Sequence, residues 1–133
     1  MTDKTFPVMR SESEWRAKLT PEQYYVMREH GTERPGSCAL LQEKRAGSFA
    51  CAGCDTPLFR SKTKFESGTG WPSFDQPRPG ATEDPVDRSH GMTRTEVHCA
   101  SCGSHLGHVF PDGPPPSGLR YCINGVALNF TPE

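Results

Sequence analysis

The amino-acid sequence predicts a mainly β protein of antiparallel strands, preceded by two short helices. Two segments near the N-terminus carry helix-capping signals. From Thr32 onward, short apolar runs alternate with turn residues, a pattern typical of antiparallel strands. Only 33% of the 133 residues are hydrophobic, and 13 Gly and 13 Pro indicate that much of the chain lies in turns and loops.

The two helices are predicted from their first turns. Ser11 and Glu14 have the spacing of a capping box, in which each side chain bonds the other residue's backbone N–H. Thr20 and Gln23 repeat that spacing, with a proline between them that suits a first helical turn. The second helix is expected to end at Gly31, because glycine is a common C-terminal stop.

Six later segments are predicted to be strands. Alternation is clearest in Thr93–Cys99, where residues 93, 95 and 97 share one face and the polar residues between them share the other. Gln76–Asp87 is rich in proline and charge, so we predict a surface loop there. The predicted strands are Gly47–Cys51, Pro57–Ser61, Thr93–Cys99, His108–Phe110, Arg120–Asn124 and Val126–Phe130.

Charge and composition argue against several classes of protein. The formal net charge is -1 and no run of Lys or Arg forms a basic stripe, so nucleic-acid binding is not expected. No apolar stretch follows a basic N-terminus, and no segment suits a membrane span, so we expect a cytoplasmic protein. The length predicts one domain over residues 1–133, and the lack of heptads favours a monomer.

Four of the six cysteines form two CxxC pairs. Cys51 and Cys54 are separated from Cys99 and Cys102 by 44 residues, a spacing that suits one tetrahedral zinc ion. In a reducing compartment, metal ligands and reactive thiols are expected rather than disulfides. Four thiolates leave no open coordination position, so the zinc is predicted to be structural. A thioredoxin-like redox pair would need a βαβ pattern that the sequence lacks.

Cys122 stands outside the metal set, in a segment predicted to be a strand. There Arg120, Cys122 and Asn124 would share one face, while the apolar residues between them point inward. A neighbouring cation lowers the pKa of a thiol, and His105 and His108 could supply both charge and protons. A cysteine between Tyr and Ile is also often a small buried apolar residue, so spacing alone leaves catalysis and packing open.

Trp71 follows two glycines in residues 67–74, whose sequence is SGTGWPSF. Glycines before an indole indicate a loop that presents the ring. Such a ring would offer a flat apolar surface to a small alkyl or thioether group. The alternative is that Trp71 packs in the core, as a single tryptophan usually does.

With these motifs in this order, the chain resembles the B-type methionine sulfoxide reductases. The matching segments are 51–54, 64–74, 94–97, 99–114 and 120–124, and they span nearly the whole chain. The resemblance implies a zinc-held β-tent of two antiparallel β-sheets with short N-terminal helices. It also implies thiol-dependent reduction of methionine (R)-S-oxide, mainly in oxidised proteins, with thioredoxin as reductant and repair of oxidative damage as the outcome.

The resemblance also implies roles for individual residues. Cys122 matches the family's nucleophile, which would become a sulfenic acid. Trp71 matches the indole that binds the substrate methyl group. The polar active-site positions are matched by His105, His108 and Asn124, and the adjoining motif positions by Arg120 and Asp112.

One position departs from the pattern of many family members. They carry a second cysteine where this chain has Thr69, and that cysteine resolves the sulfenic acid as a disulfide. Cys38 is the remaining thiol outside the metal set, so we predict that it forms a disulfide with Cys122 for thioredoxin to reduce. The alternative is that the reductant attacks the sulfenic acid directly.

Two other classes of function compete with a reductase. A zinc-held binding module would explain the four paired cysteines, but not the occurrence of Cys122, two histidines and the Trp71 loop together. A zinc hydrolase would need an open metal position and a carboxylate to activate water. The set of four thiolates argues against that class.

Overall fold

The computed structural model describes residues 8, 10–29, 31–33, 40, 43–65, 67–84, 86–87 and 94–132. Within these ranges the protein is mainly β, with only two short α-helices, as predicted. No helix in the described part of the chain is long and apolar enough to cross a membrane. Cys38 and Thr93, which both carried predictions, lie outside the described residues.

Both helices begin at the predicted capping boxes. Helix α1 spans Glu12–Lys18 and helix α2 spans Pro21–Arg28, so α2 stops short of the predicted end. The Ser11 hydroxyl accepts the backbone N–H of Glu14 at 3.2 Å, and Thr20 caps α2 in the same way. Each such cap contributes ~1 kcal/mol. The side chains that the helices bury are Trp15, Val26 and Met27.

Ten strands form two antiparallel sheets in the described residues. They are β1 Gly47–Cys51, β2 Pro57–Arg60, β3 Lys64–Phe65, β4 Ser73–Phe74, β5 Thr82–Glu83, β6 Val86–Asp87, β7 Arg94–Cys99, β8 His105–Phe110, β9 Arg120–Ile123 and β10 Leu128–Pro132. The smaller sheet has the order β10–β1–β2. The larger sheet has the order β3–β4–β9–β8–β7–β5, with β6 also paired to β7.

Aromatic rings join the two sheets. Phe59 on β2 stacks on Phe74 on β4 with 4.3 Å between ring centroids, and Phe49 on β1 meets Phe74 edge-on at 5.2 Å. All three side chains are fully buried. Such pairs contribute ~0.5–1.5 kcal/mol each beyond their buried area. Because Phe74 pairs with Tyr121 on β9, this packing also holds the strand that carries Cys122.

Several strand bounds differ from the predictions. Strand β8 begins at His105, three residues before the predicted start at His108, and Gly125–Ala127 forms a 3₁₀ turn, so the last strand begins at Leu128. Within Gln76–Asp87, predicted to be a loop, two strands of two residues pair with β7. Strands that short cannot display alternation, and the neighbouring strand decides their pairing.

Candidate active site and metal centre

Cys122 lies near the middle of the larger sheet. Its partners across the strands are His108 on β8 and Ser73 on β4, and directly paired residues have side chains on the same face. Tyr121 and Ile123, on either side of Cys122, are buried in the core. The predicted alternation of this strand is therefore confirmed, and the half-buried Cys122 thiol points away from the core.

A cavity of about 280 Å³ opens over Cys122. Its walls combine aromatic rings with a few polar groups, which is typical of a site for a small ligand that is partly apolar. The cavity brings together six of the residues singled out in the sequence. The described residues that line it are Thr32, Thr69, Trp71, Gly107, His108, Phe110, Arg120, Cys122 and Asn124.

Trp71 is held at the cavity wall by its indole nitrogen. Trp71 Nε1 donates a hydrogen bond to the backbone oxygen of Glu33 at 3.0 Å. Gly68 and Gly70, in the loop before it, have φ angles of 75° and 91°, a region that glycine enters without strain. The loop therefore presents the ring at the cavity instead of burying it in the core, and Trp71 is half-buried.

The two histidines occupy different positions. His108 lines the cavity, whereas His105 is 2% exposed and is not among the lining residues. His105 Nδ1 lies 2.7 Å from Glu96 Oε2, so the carboxylate holds one edge of the buried ring. The His105 and His108 rings meet edge to face, with 5.3 Å between centroids. His105 therefore lies next to His108 rather than in the cavity wall.

Arg120 and Asp112 form a bidentate ion pair beside the cavity. Arg120 Nε donates to Asp112 Oδ1 at 2.8 Å and Arg120 Nη2 donates to Asp112 Oδ2 at 3.1 Å. The guanidinium lies over the Phe110 ring, 4.5 Å from its centroid. Arg120 lines the cavity, whereas Asp112 is mostly exposed and fixes the guanidinium from outside.

The pKa of the Cys122 thiol reflects opposing influences. Burial raises the pKa above its ordinary value, while the Arg120 charge and the Thr69 hydroxyl lower it. The Thr69 hydroxyl belongs to a short chain of hydroxyl groups, with Ser67 Oγ 2.8 Å from Thr69 Oγ1 and 2.7 Å from Ser73 Oγ. The cation and the hydroxyl donor favour the thiolate but do not outweigh burial, so the pKa of Cys122 stays above its ordinary value.

Glu33 is a residue of this site that the sequence reasoning missed. It is 4% exposed, its backbone N–H donates to Asn124 Oδ1 at 2.9 Å, and its backbone oxygen accepts from Trp71. Asn124 Nδ2 in turn donates to the backbone oxygen of Leu106 at 2.9 Å. No motif or periodicity surrounds Glu33 in the sequence, so no local signal could have indicated this position.

The four paired cysteines converge at the ends of β1 and β7. Their sulfur atoms all lie within 4.8 Å of one another. Cys51 Sγ lies 3.7 Å from Cys102 Sγ, and Cys54 Sγ lies 3.6 Å from Cys99 Sγ. A tetrahedral metal with bonds of ~2.3 Å to sulfur separates its ligands by about 3.8 Å. The spacing of the sulfurs therefore fits one metal ion bound by all four.

Neighbouring groups also fit a set of thiolates. The hydroxyls of Thr56 and Ser104 each lie 3.1 Å from a sulfur, that of Cys54 and that of Cys102 respectively, where they can donate. Contact with Cys102 raises the pKa of Cys51, because adjacent thiols cannot all ionise without a cation. A bound cation removes that penalty.

Comparison with known proteins agrees with this site. Residues 19–132 match the SelR domain family. The chain is 57% identical over 134 residues to the peptide methionine sulfoxide reductase MsrB of Agrobacterium fabrum, covering 99% of both chains. Proteins of the same name are 62% identical over 121 residues in Pseudomonas putida (90% of this chain, 91% of that one) and 58% over 130 residues in Leifsonia xyli (96% and 94%). This chain therefore belongs to the SelR domain family, together with proteins named peptide methionine sulfoxide reductase MsrB.

Proposed function

We propose that this protein is a peptide-methionine (R)-S-oxide reductase whose nucleophile is Cys122. The observation that carries the proposal is that one cavity is lined by the thiol of Cys122, the imidazole of His108 and the indole of Trp71. Membership of the reductase family supports the same activity. Reduction of a sulfoxide needs a nucleophile, an acid that protonates the oxygen and an apolar surface for the methyl group. Cys122, His108 and Trp71, in that order, have side chains suited to these three tasks.

Selection of the R epimer is assigned to the fixed Trp71 ring. The indole would receive the substrate methyl group while the hydrogen bond to Glu33 limits rotation of the ring. The oxygen of only one epimer would then point towards His108. Arg120 and Asn124, which also line the cavity, are proposed to bind polar parts of the substrate, and Asp112 supports Arg120 through the ion pair.

The reduction step transfers the sulfoxide oxygen to Cys122. The Cys122 thiolate attacks the substrate sulfur while His108 donates a proton to the oxygen. That attack forms a bond between the Cys122 sulfur and the substrate sulfur. The protonated oxygen then moves from the substrate sulfur to the Cys122 sulfur, as the substrate S–O bond and the new S–S bond break, so methionine leaves and Cys122 is left as a sulfenic acid. The substrate gains the two electrons that the thiolate loses. His105 would act through His108, since it lies behind that ring and bonds Glu96.

Regeneration of the Cys122 thiol from its sulfenic acid is assigned to Cys38 and a dithiol reductant. The Cys38 thiol would attack the sulfenic sulfur, forming a Cys38–Cys122 disulfide and releasing water. Cys38 follows Glu33, a residue fixed beside the cavity, by five positions, which limits their separation to ~18 Å. Thioredoxin would then reduce the disulfide by thiol exchange.

The remaining assignments concern the metal, the substrates, the oligomeric state and the cellular location. We propose that Cys51, Cys54, Cys99 and Cys102 hold one zinc ion, which stabilises the fold and takes no part in the reaction, because four thiolates leave no position for substrate. The substrates are proposed to be oxidised proteins, repaired by a monomer consisting of one domain over residues 1–133. The cytoplasmic location stays a prediction from the sequence.

An epimer-resolved assay tests the activity. Purified protein would receive a racemic N-blocked methionine sulfoxide with dithiothreitol, and chiral chromatography would follow both epimers. We expect the R epimer to be converted to methionine while the S epimer persists. Persistence of both epimers with folded, metal-loaded protein would contradict the proposal and favour a binding module.

Replacing His108 by glutamine is expected to lower kcat about 10²- to 10⁴-fold, the usual contribution of a positioned proton donor. Steady-state assays with the R sulfoxide would measure the loss. His105→Gln is the matched comparison, and its effect should be smaller because His105 does not reach the cavity. A larger loss in His105→Gln than in His108→Gln would contradict the assignment of the acid.

Peptide mapping after a single turnover tests the resolving thiol. With one equivalent of substrate and no reductant, we expect a disulfide-linked peptide pair containing Cys38 and Cys122. In Cys38→Ser, dimedone should label Cys122 instead, because dimedone reacts with sulfenic acids. A wild-type digest in which Cys122 is labelled by dimedone and Cys38 remains a free thiol would refute the disulfide.

A further inference from the structure

We infer that Glu33 is a positioning residue that sets the orientation of the Trp71 indole and the Asn124 amide at the cavity. The inference builds on the proposed reductase function, because it concerns how that site is held in shape. It assigns to Glu33 no contact with the reacting atoms. Glu33 is not itself among the residues that line the cavity, although its neighbour Thr32 is.

The carboxylate of Glu33 anchors the residue to the end of β9. Glu33 Oε2 accepts the backbone N–H of Gly125 at 2.8 Å, and Glu33 Oε1 accepts that of Val126 at 3.0 Å. Both N–H groups belong to the 3₁₀ turn that follows β9. The two oxygens therefore bind two successive backbone donors, and this fixes both the position and the rotation of the carboxylate.

The backbone of the same residue reaches two side chains of the cavity. Its N–H donates to Asn124 Oδ1 at 2.9 Å, and its oxygen accepts from Trp71 Nε1 at 3.0 Å. The carboxylate determines where this peptide backbone lies, and the backbone in turn determines where the amide and the indole lie. Four hydrogen bonds of one residue thus connect the turn after β9 with both side chains.

Asn124 depends on this arrangement for its orientation. Its Oδ1 faces the Glu33 N–H, while its Nδ2 donates to the backbone oxygen of Leu106. An amide rotated by 180° would place its NH₂ against a donor and its oxygen against a carbonyl, so only one orientation satisfies both neighbours. Movement of Glu33 would release the Asn124 oxygen and permit the side chain to leave the cavity wall.

The cost of burying the Glu33 carboxylate indicates that this residue does more than stabilise the fold. Burial raises the pKa of Glu33, and the N–H groups of Gly125 and Val126 lower it in part. No Lys or Arg side chain forms an ion pair with Glu33 within the described ranges. A buried carboxylate without a cation costs folding free energy. The carboxylate does, however, supply two hydrogen-bond acceptors in a fixed geometry, one for the N–H of Gly125 and one for that of Val126.

The experiment compares Glu33→Gln with the wild type. Glutamine keeps the size of the side chain but has one oxygen acceptor, so one of the two backbone N–H groups loses its partner. We expect kcat/KM for the R sulfoxide to fall about 10- to 100-fold, as displacement of positioning groups does elsewhere. The matched control is Glu29→Gln, which removes the same charge from an exposed position at the end of α2 and should leave kcat/KM unchanged.

A spectroscopic measurement separates positioning from general destabilisation. Proton–nitrogen NMR resolves the two indole N–H signals, of Trp71 and Trp15, and Trp71→Phe assigns them. Loss of the bond to Glu33 should shift the Trp71 signal and speed its exchange with solvent. The Trp15 signal is the internal reference, since Trp15 Nε1 is buried and has no hydrogen-bond partner among the described residues.

Together, kcat/KM and the two indole signals decide whether Glu33 positions Trp71. Lower kcat/KM with a shifted Trp71 signal and an unchanged Trp15 signal supports it, whereas an unchanged Trp71 signal overturns it, whatever the activity. If Glu33→Gln does not fold, the wild type still decides: a Trp71 indole proton that exchanges as fast as free tryptophan overturns the inference, and a protected one supports it. Wild-type protein that reduces no sulfoxide would refute the proposed function, while the indole signals would still test Glu33.

Discussion

Cys122→Ser is expected to abolish sulfoxide reduction, lowering kcat at least about 10⁴-fold, as removal of a nucleophile does in other enzymes. Serine keeps the size and polarity of the side chain at the cavity. A hydroxyl, however, has no accessible anion near neutral pH and cannot form the sulfenic acid or the disulfide that the cycle requires. The epimer-resolved assay measures the loss, and Cys122→Ala should be equally inactive.

The fold of Cys122→Ser provides the control for that loss. Cys122 is half-buried and is not one of the four clustered cysteines, so metal content and thermal unfolding should match the wild type. A folded Cys122→Ser protein that still converts the R epimer at a hundredth of the wild-type rate or faster would show that another group is the nucleophile.

Removal of the metal is expected to unfold the protein. Structural zinc in finger-type sites contributes ~10–16 kcal/mol, whereas a whole domain is stable by only ~5–15 kcal/mol. The four cysteines join the ends of β1 and β7, and these strands belong to different sheets. Without the metal, this link between the sheets would be replaced by four crowded thiols whose ionisation is unfavourable.

Circular dichroism and metal analysis during titration with a chelator would measure this effect. We expect one metal ion per chain, and loss of the tertiary signal in step with loss of metal. Cys102→Ser should be unfolded or metal-free, while Ser101→Ala, in the same loop, should resemble the wild type. A metal-free protein that retains a cooperative thermal transition would contradict the structural role of the metal.

Local signals explain why much of the fold could be predicted. The capping box at Ser11 lies within four residues and forms as predicted. Strand Gly47–Cys51 has its predicted bounds, because turn residues follow it closely. Each CxxC pair is likewise a local motif, and its duplication predicted the cluster of sulfurs that the structure contains. The alternation around Cys122 correctly indicated that Tyr121 and Ile123 are buried, although Asn124, predicted on the accessible face, is buried as well.

The family and its chemistry were also accessible from the sequence. The ordered motifs indicated a reductase of methionine sulfoxide, and the matches to the SelR domain and to proteins of that name agree. The replacement of the second cysteine by Thr69 was visible only because the surrounding motif is otherwise intact. In the structure, Thr69 lines the cavity, and its hydroxyl partly offsets the rise in the pKa of Cys122 that burial causes.

The sequence by itself therefore determined the class of fold, the four cysteines that are placed to hold a metal ion, and most of the side chains from which a site could be built. Only the tertiary structure decided that His108 reaches the cavity and His105 lies behind it, since both belong to one motif and one strand. Only the tertiary structure brought Glu33 to Asn124, Gly125 and Val126, which lie 91 to 93 residues away in the chain. The physical reason is that contacts over such separations form when packed sheets bring distant segments together, and no local propensity or spacing records them.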